Sequence, residues 1–220
     1  MRTAAVLPVK SFGRAKQRLD PGVGRSERAE LAAAMLDDVL AALFAVDGLA
    51  DVIVVTAEPA AAGAARAAGA HVVGDPVEAG QSDAALRGIR AAVERGARRV
   101  LLVPGDCPAL DPAEVDALLG RFLQAGLVIV PDRHGSGTNA LLIAPPGALE
   151  PSFGSGSFAR HAALGAAAGL TVRVARAPSL ELDVDTPGDL AALRAALAAL
   201  PVAAARTRAL VESLAPSPVA

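Results

Sequence analysis

The sequence of 220 residues has no tryptophan and no tyrosine, and it has only 5 phenylalanines. Proteins that read nucleic-acid bases stack them on aromatic side chains, so this scarcity argues against base-stacking recognition. The net charge is −2, from 21 basic and 23 acidic residues, which gives no bulk attraction to a nucleic acid or a membrane surface. We therefore expect neither a nucleic-acid partner nor a membrane partner.

Cysteine, long apolar runs and lysine are scarce as well. The single cysteine, Cys107, excludes an internal disulfide and fits a reducing compartment. No apolar stretch approaches the length of a membrane span, and the N-terminus lacks a signal-peptide pattern. These features predict a cytoplasmic protein. Lys10 and Lys16 are the only lysines, so the loop that contains both of them stands out.

What the sequence does contain is an alternation of Val- and Leu-rich runs with Ala-rich helical stretches. This alternation predicts parallel strands joined by crossover helices, and hence an α/β fold: a single-domain, Rossmann-like three-layer sandwich with a mostly parallel central sheet. We assign this domain to residues 1–200 and interpret residues 201–220 as a tail, a marginal helix followed by a frayed end. The predicted strands are 4–9, 52–56, 71–73, 100–103, 127–130, 140–144 and 172–175. The predicted helices are 25–44, 59–68, 84–95, 112–125, 157–168 and 187–200.

The loop that follows the first strand, residues 10–19, carries both lysines and Gly13. Small residues and cations in this position of an α/β sheet can wrap a polyphosphate, and backbone amides around Gly13 would add donors. The loop matches neither a P-loop nor a GxGxxG fingerprint, and a solvated basic loop is the alternative. Because the only two lysines fall here, we interpret Lys10 and Lys16 as phosphate ligands.

Two acidic elements follow apolar or extended segments. Asp106 comes after the run 99–103, where open α/β sheets bind ligands, and one fixed carboxylate there suits Mg²⁺. The alternative is a helix cap, for which Asp111 is better placed. In the extended segment 182–185 (LDVD), alternate residues point the same way, so Asp183 and Asp185 would converge with Asp106 around one or two Mg²⁺ ions. Alternatively, Asp185 assists Thr186 in capping the last predicted helix.

A Gly/Ser loop, residues 153–157 (FGSGS), runs into a predicted helix. Free amides and the positive end of the helix dipole favour an anion in such a place, and Ser157 is equally interpretable as a simple N-cap. Arg160 and His161 lie one turn into the helix, where either could face a ligand. A lone helical histidine is more often a surface or core residue, so His161 is left out of the catalytic set.

Three elements, taken in order, resemble a known family: 7–10 (LPVK) with 15–19 (AKQRL), 104–108 (PGDCP) and 182–187 (LDVDTP). They are similar to the 2-phospho-L-lactate and phosphoenolpyruvate guanylyltransferases of coenzyme F-420 biosynthesis, which have a glycosyltransferase-A-like, nucleotide-diphospho-sugar transferase-like fold. The resemblance covers the chain from Ala4 to the region of Leu200. It implies GTP, Mg²⁺ and a three-carbon phosphoacid whose phosphate attacks the α-phosphorus and expels pyrophosphate. The product would pass to a downstream transferase of that pathway.

The resemblance also implies roles for individual residues. Many members of the family have Gly-Leu-Asn where this chain has Gly80-Gln81-Ser82. This difference makes selectivity for guanine a weaker inference. Alternatively, Ser82 or Asp83 caps the following helix. Asn139 looks like a residue that positions either its own loop or the nucleotide. The implied catalytic residues are Lys10, Lys16 and Asp106; the metal ligands are Asp106, Asp183 and Asp185; the nucleotide-binding residues are Pro8, Val9, Lys10, Lys16, Gly80, Gln81 and Ser82; and the phosphoacid-binding residues are Thr138, Gly154 and Ser157.

Two other functions stay open at this point. A molybdopterin-cofactor guanylyl- or cytidylyltransferase shares the Gly-Asp-x-Pro element but typically has a longer Gly-rich first loop. A non-catalytic nucleotide-sensing module of the same fold would not need both acidic elements and both lysines, and a pyrophosphate-release assay separates it from an enzyme. The residues do not discriminate among phosphoenolpyruvate, 2-phospholactate and 3-phosphoglycerate, or between a monomer and a homodimer.

Overall fold

The computed structural model describes residues 1–14, 16–19, 23–124, 126–199 and 203–214. Two short 3-10 turns, Phe12–Arg14 and Gln17–Leu19, lie between the first strand and the first helix. Strands β1 to β7 are Thr3–Val9, Asp51–Thr56, His71–Gly74, Arg99–Leu102, Gly126–Pro131, Thr138–Ala144 and Val172–Val174. Helices α1 to α8 are Arg25–Phe44, Pro59–Ala68, Gln81–Glu94, Pro112–Arg121, Ser157–Ala167, Pro178–Glu181, Pro187–Ala199 and Ala205–Ser213.

The strands form one sheet in the order β3-β2-β1-β4-β6-β5-β7. β6 is antiparallel to its neighbours β4 and β5, and the other pairings are parallel. The prediction of an α/β fold with a mostly parallel sheet is therefore confirmed. Because β1 and β4 are adjacent and parallel, the loops at their carboxyl ends open at the same edge of the sheet, where ligands bind in such folds.

Apolar residues cover both faces of the sheet, which explains why the central strands are continuous apolar runs rather than alternating ones. Successive residues of β1 enter different cores: Leu7 packs in the core that contains Leu36 of α1, and Val6 packs in the core that contains Ile89 of α3. α3 approaches β1 so closely that a Cβ on Gly88 would lie 2.2 Å from Val6. Glycine is therefore required at this crossing.

Capping signals fix two of the helix starts as the sequence predicts. Asp111 accepts the Ala113 N–H at 2.9 Å and so caps α4. Thr186 accepts the Asp189 N–H at 3.2 Å at the start of α7. At α5, by contrast, the cap is Gly156, with φ of +69°, and Ser157 is the first helical residue. The interpretation of Ser157 as a simple N-cap is therefore wrong.

Other boundaries also differ from the prediction. α3 begins at Gln81 rather than at residue 84, and α4 ends at Arg121. The short α6 was not predicted, because four residues carry no helical periodicity. The predicted ends of α4 at residue 125 and of α7 at residue 200 lie outside the described residues.

Within the segment interpreted as a tail, α8 packs on α1. Thr207 and Val211 are buried, and the Thr207 N–H donates to Asp38 Oδ2 at 2.7 Å. Residues 201–202 and the predicted frayed end, 215–220, lie outside the described residues, and a domain boundary at residue 200 stays a prediction. None of the described helices combines the length and the apolar character that crossing a bilayer requires.

Candidate active site

An open pocket of about 560 Å³ lies beyond the carboxyl ends of β1 and β4. The loops after β1, β3 and β4, the start of β6 and the segment between α6 and α7 form its walls. Three of the predicted site residues, Ser82, Gly154 and Ser157, are not among its lining residues. The predicted residues that line it are Pro8, Val9, Lys10, Lys16, Gly80, Gln81, Asp106, Thr138, Asn139, Asp183 and Asp185.

Three carboxylates, Asp106, Asp183 and Asp185, form an acidic cluster in this pocket. Val184 is buried, and its N–H donates to the Asp106 main-chain oxygen at 3.2 Å, which joins the two acidic segments. Asn139 Nδ2 donates to Asp183 Oδ1 at 3.1 Å. Burial, together with the nearby charge of Asp106, raises the pKa of Asp183 to about 6. The cluster therefore concentrates negative charge that needs a counter-ion.

Lys16 supplies that counter-charge. Its ammonium group contacts Asp106 Oδ2 and donates to Asp185 Oδ1 at 3.1 Å, and only 6% of its side chain is exposed. Burial by itself would lower the pKa of Lys16, but the charges of Asp106 and Asp185 outweigh burial and raise that pKa above its usual value. The structure thus places Lys16 on the acidic cluster, a contact that the sequence did not predict.

The acidic cluster has the oxygen ligands that a divalent cation needs, but its carboxylates are not spaced as they would be around a bound ion. In the described part of the chain, no group of three or more His, Cys, Asp or Glu side chains is arranged to hold a metal ion. Asp106 Oδ1 is nevertheless buried and accepts no hydrogen bond, and Mg²⁺ prefers oxygen ligands of this kind. Asp106 and Asp185 already share one cation, the Lys16 ammonium. The donor set therefore fits a hard cation.

Asp189, which was not among the predicted site residues, holds the backbone at Asp185 and Thr186. Asp189 Oδ2 accepts the N–H groups of Asp185 and Thr186 at 3.1 and 2.8 Å, and Arg133 Nε donates to its Oδ1 at 2.8 Å. Burial would raise the pKa of Asp189, but these hydrogen bonds outweigh burial and lower it. The available signal was the capping-box spacing Thr186-x-x-Asp189. Asp185 itself turns its side chain to Lys16, so it does not assist the cap.

In the first loop, two of the backbone amides near Gly13 are already hydrogen-bonded and so are not open to phosphate. The N–H and Oγ of Ser11 donate to Glu78 Oε1 at 3.0 and 2.7 Å. The Phe12 N–H donates to Glu58 Oε2 at 3.1 Å. Two carboxylates from distant loops therefore occupy these donors, and no local sequence pattern pointed to either contact.

Ser152 and the Gly/Ser loop that follows it fold around the guanidinium group of Arg160. That group donates to the carbonyl oxygens of Ser152, Phe153 and Ser155. The N–H groups of Gly154, Ser155 and Gly156 donate no hydrogen bond within the described residues. Arg160 therefore turns the carbonyl oxygens of the loop toward itself and leaves three consecutive amides open at the start of α5.

The Gly/Ser loop is connected to the pocket indirectly, through Ser82, which follows the lining residue Gln81, and through His161. Ser82 Oγ accepts the Phe153 N–H at 2.9 Å, so this hydroxyl anchors the loop instead of lining the nucleotide side. His161 is buried and lies 3.0 Å from the hydroxyl of Thr138, which lines the pocket. Ser82 therefore lies outside the pocket lining, and His161, which was left out of the predicted catalytic set, contacts a residue of that lining.

Residues 3–195 match the family model described as "Guanylyl transferase CofC like". The chain belongs to this family. A CofC-like relative from Conexibacter woesei, named phosphoenolpyruvate guanylyltransferase, is 51% identical over 216 residues, which is 97% of both chains.

Solved structures of other proteins share the fold of this CofC-like chain. One from Desulfovibrio desulfuricans, described as a nucleotide-diphospho-sugar transferase, has a TM-score of 0.75 and 18% identity over 97% of this chain and 99% of its own. Glucosyl-3-phosphoglycerate synthase from Mycobacterium tuberculosis, solved in complex with Mn²⁺, UDP and phosphoglyceric acid, has a TM-score of 0.57 and 15% identity over 80% of this chain and 68% of its own. At these identities the likeness shows the fold alone.

Proposed function

We propose that this protein transfers GMP from GTP to phosphoenolpyruvate. A phosphate oxygen of phosphoenolpyruvate attacks the α-phosphorus of GTP, a new P–O–P bond forms, the bond between the α-phosphorus and the bridging oxygen breaks, and pyrophosphate leaves. A phosphate oxygen is already an anionic nucleophile, so the protein needs alignment and charge neutralisation rather than a general base. The observation that carries the proposal is the joint lining of one pocket by Lys10, Lys16, the acidic cluster and Thr138.

The nucleotide side of the pocket is formed by the end of β1 and the start of α3. Pro8, Val9 and Lys10 line the pocket together with Gly80 and Gln81. Gly80 has φ of +135°, a conformation that residues with a Cβ rarely adopt, and this brings backbone to the pocket without a side chain. We assign the guanine and ribose to this side and the triphosphate to Lys10 and Lys16, whose charges suit it.

Mg²⁺ is the metal that we assign to the acidic cluster. Asp106, Asp183 and Asp185 would hold it, which is supported by the unpaired Asp106 Oδ1 and by the Lys16 ammonium between Asp106 and Asp185. When bound, the metal supplies neutralisation of phosphate charge. Lys16, held in the pocket by the same carboxylates, is placed to add its charge to that of the metal.

The acceptor side is assigned to Thr138, Gly154 and Ser157. Gly154 and Ser157 belong to a loop beside the pocket, which Ser82 and His161 tie to the pocket wall. Three free amides at the start of an eleven-residue helix favour an anionic group. These features support binding of the carboxylate or phosphate of the acceptor at this end.

The proposal is tested by pyrophosphate release from Mg·GTP with phosphoenolpyruvate, 2-phospholactate and 3-phosphoglycerate in parallel. We expect release with phosphoenolpyruvate and much less with ATP or CTP in place of GTP. Binding of GTP without release in any mixture would identify a nucleotide-sensing module instead. Consumption of the product by a downstream transferase of coenzyme F-420 biosynthesis, a cytoplasmic location and a homodimer stay predictions.

A further inference from the structure

His161 is fully buried on α5, and both of its ring nitrogens are engaged. The Ser152 N–H lies 2.9 Å from Nε2, and the Thr138 hydroxyl lies 3.0 Å from Nδ1. The Phe153 ring packs edge-on against the imidazole, with 5.2 Å between centroids. One side chain therefore touches both the pocket wall and the Gly/Ser loop.

These contacts determine which nitrogen of the neutral ring carries the proton. A backbone N–H can only donate, so Nε2 must accept the bond from Ser152. The proton of a neutral imidazole then resides on Nδ1, which donates to Thr138 Oγ1. Burial and the nearby charge of Arg160 lower the pKa of His161 to about 4, which keeps the ring in this neutral form.

The direction of the His161 bond determines what the Thr138 hydroxyl can do. Because Oγ1 already accepts from Nδ1, the hydroxyl hydrogen remains available to another acceptor. No other partner of this hydroxyl is present among the described residues, and Thr138 lines the pocket. A hydroxyl in this state can donate a hydrogen bond to a ligand in the pocket, which suits a carboxylate or phosphate oxygen.

We propose that His161 is a positioning residue that holds the Thr138 hydroxyl as a hydrogen-bond donor to the anionic acceptor. The same imidazole anchors Ser152 and so sets the place of the Gly/Ser loop relative to Thr138. This role rests on the proposed function, since the acceptor must bind at this end of the pocket.

Two substitutions separate the two bonds of His161. In H161N, the amide nitrogen stands where Nδ1 stood and can still donate to Thr138. In H161Q, the longer side chain places its amide oxygen where Nε2 stood, so it can accept from Ser152 but no longer serves Thr138. H71Q, a histidine substitution at an exposed position of β3, is the matched control.

The test is steady-state kinetics with GTP and phosphoenolpyruvate, together with melting temperatures. We expect H161Q to raise the KM for phosphoenolpyruvate about tenfold or more, as loss of a hydrogen bond to a charged ligand does, with the KM for GTP nearly unchanged. H161N should stay closer to wild type in this KM. T138V should match H161Q, and the double variant T138V/H161Q should be no worse than either alone.

A purely structural His161 predicts other results. Equal changes in both KM values, a fall in melting temperature with a normal KM for phosphoenolpyruvate, or multiplicative effects in the double variant would each overturn the positioning role. Wild-type turnover is the separate check on the proposed function. Without turnover, calorimetric titration of phosphoenolpyruvate into wild type, H161N and H161Q still tests the positioning role, and equal affinities would overturn it.

Discussion

The two ends of the pocket are held together by different forces. At one end, the Lys16 ammonium forms ion pairs with Asp106 and Asp185 and offsets part of the negative charge of the acidic cluster. At the other end, which we call the neutral end, the uncharged groups of Thr138, His161 and Ser152 share one buried and one partly buried hydrogen bond. The carboxylates of the acidic cluster can exchange one cation for another. The hydrogen bonds at the other end instead fix the positions of the Thr138 hydroxyl and the Gly/Ser loop. The first suits a metal-bound triphosphate and the second suits recognition of a small acceptor.

D106N tests the end of the pocket that contains Lys16 and the acidic cluster, and it should have the largest effect of the substitutions considered. Asn is nearly isosteric with Asp but lacks the charge that both Lys16 and a divalent cation require. We expect turnover to fall about a hundredfold or more, and raising the Mg²⁺ concentration should recover only part of it. Pyrophosphate release across a Mg²⁺ titration measures this. Near-wild-type turnover at limiting Mg²⁺ would remove Asp106 from the metal site.

T138V combined with S157A tests the neutral end. Each substitution removes a hydroxyl at nearly constant volume, and each lost hydrogen bond to a charged ligand should weaken acceptor binding by about 1.5–3 kcal/mol. Binding of Mg·GTP should not change. Calorimetric titration with phosphoenolpyruvate decides the matter, because unaltered affinity in the double variant contradicts the assignment of the acceptor to these residues.

K16A separates the two ends by affecting one substrate more than the other. The variant loses a phosphate-binding charge and leaves Asp106 and Asp185 without their counter-ion. We expect the KM for GTP to rise about tenfold, with a smaller change for phosphoenolpyruvate. K16R, which keeps the charge, is the control. Equal kinetics of K16A and wild type with GTP would place Lys16 outside the nucleotide site.

From the buried His161 we also predict how the free energy of unfolding of the protein depends on pH. Its folded-state pKa of about 4 lies below the unfolded value near 6.5, so the unfolded chain takes up the proton first as pH falls. This contribution to the free energy of unfolding is present above pH 6.5 and is lost as pH falls toward 4, by at most about 3 kcal/mol. Denaturant unfolding of wild type and H161Q at pH 7 and pH 4.5 measures it. An equal loss in both proteins would contradict the prediction.

The sequence predicted the sheet from local patterns, and it predicted about half of the pocket lining from local patterns together with the family resemblance. Apolar runs marked the strands, and Asp106, Asp183 and Asp185 follow from motifs at the ends of extended segments. What it missed are contacts between residues far apart in the chain. The bond from Phe153 to Ser82 and the contact of Lys16 with Asp106 depend on how loops fold over one another, and no periodicity encodes that.

The proposed transfer of GMP from GTP to phosphoenolpyruvate is tested most directly by ³¹P NMR of the two substrates with the enzyme and Mg²⁺. Transfer of GMP joins two phosphorus atoms through one oxygen, so two mutually coupled doublets should grow together with inorganic pyrophosphate. The phosphoenolpyruvate singlet should shrink at the same rate. Release of orthophosphate, formation of GMP without the new doublets, or unchanged spectra would contradict the proposed reaction.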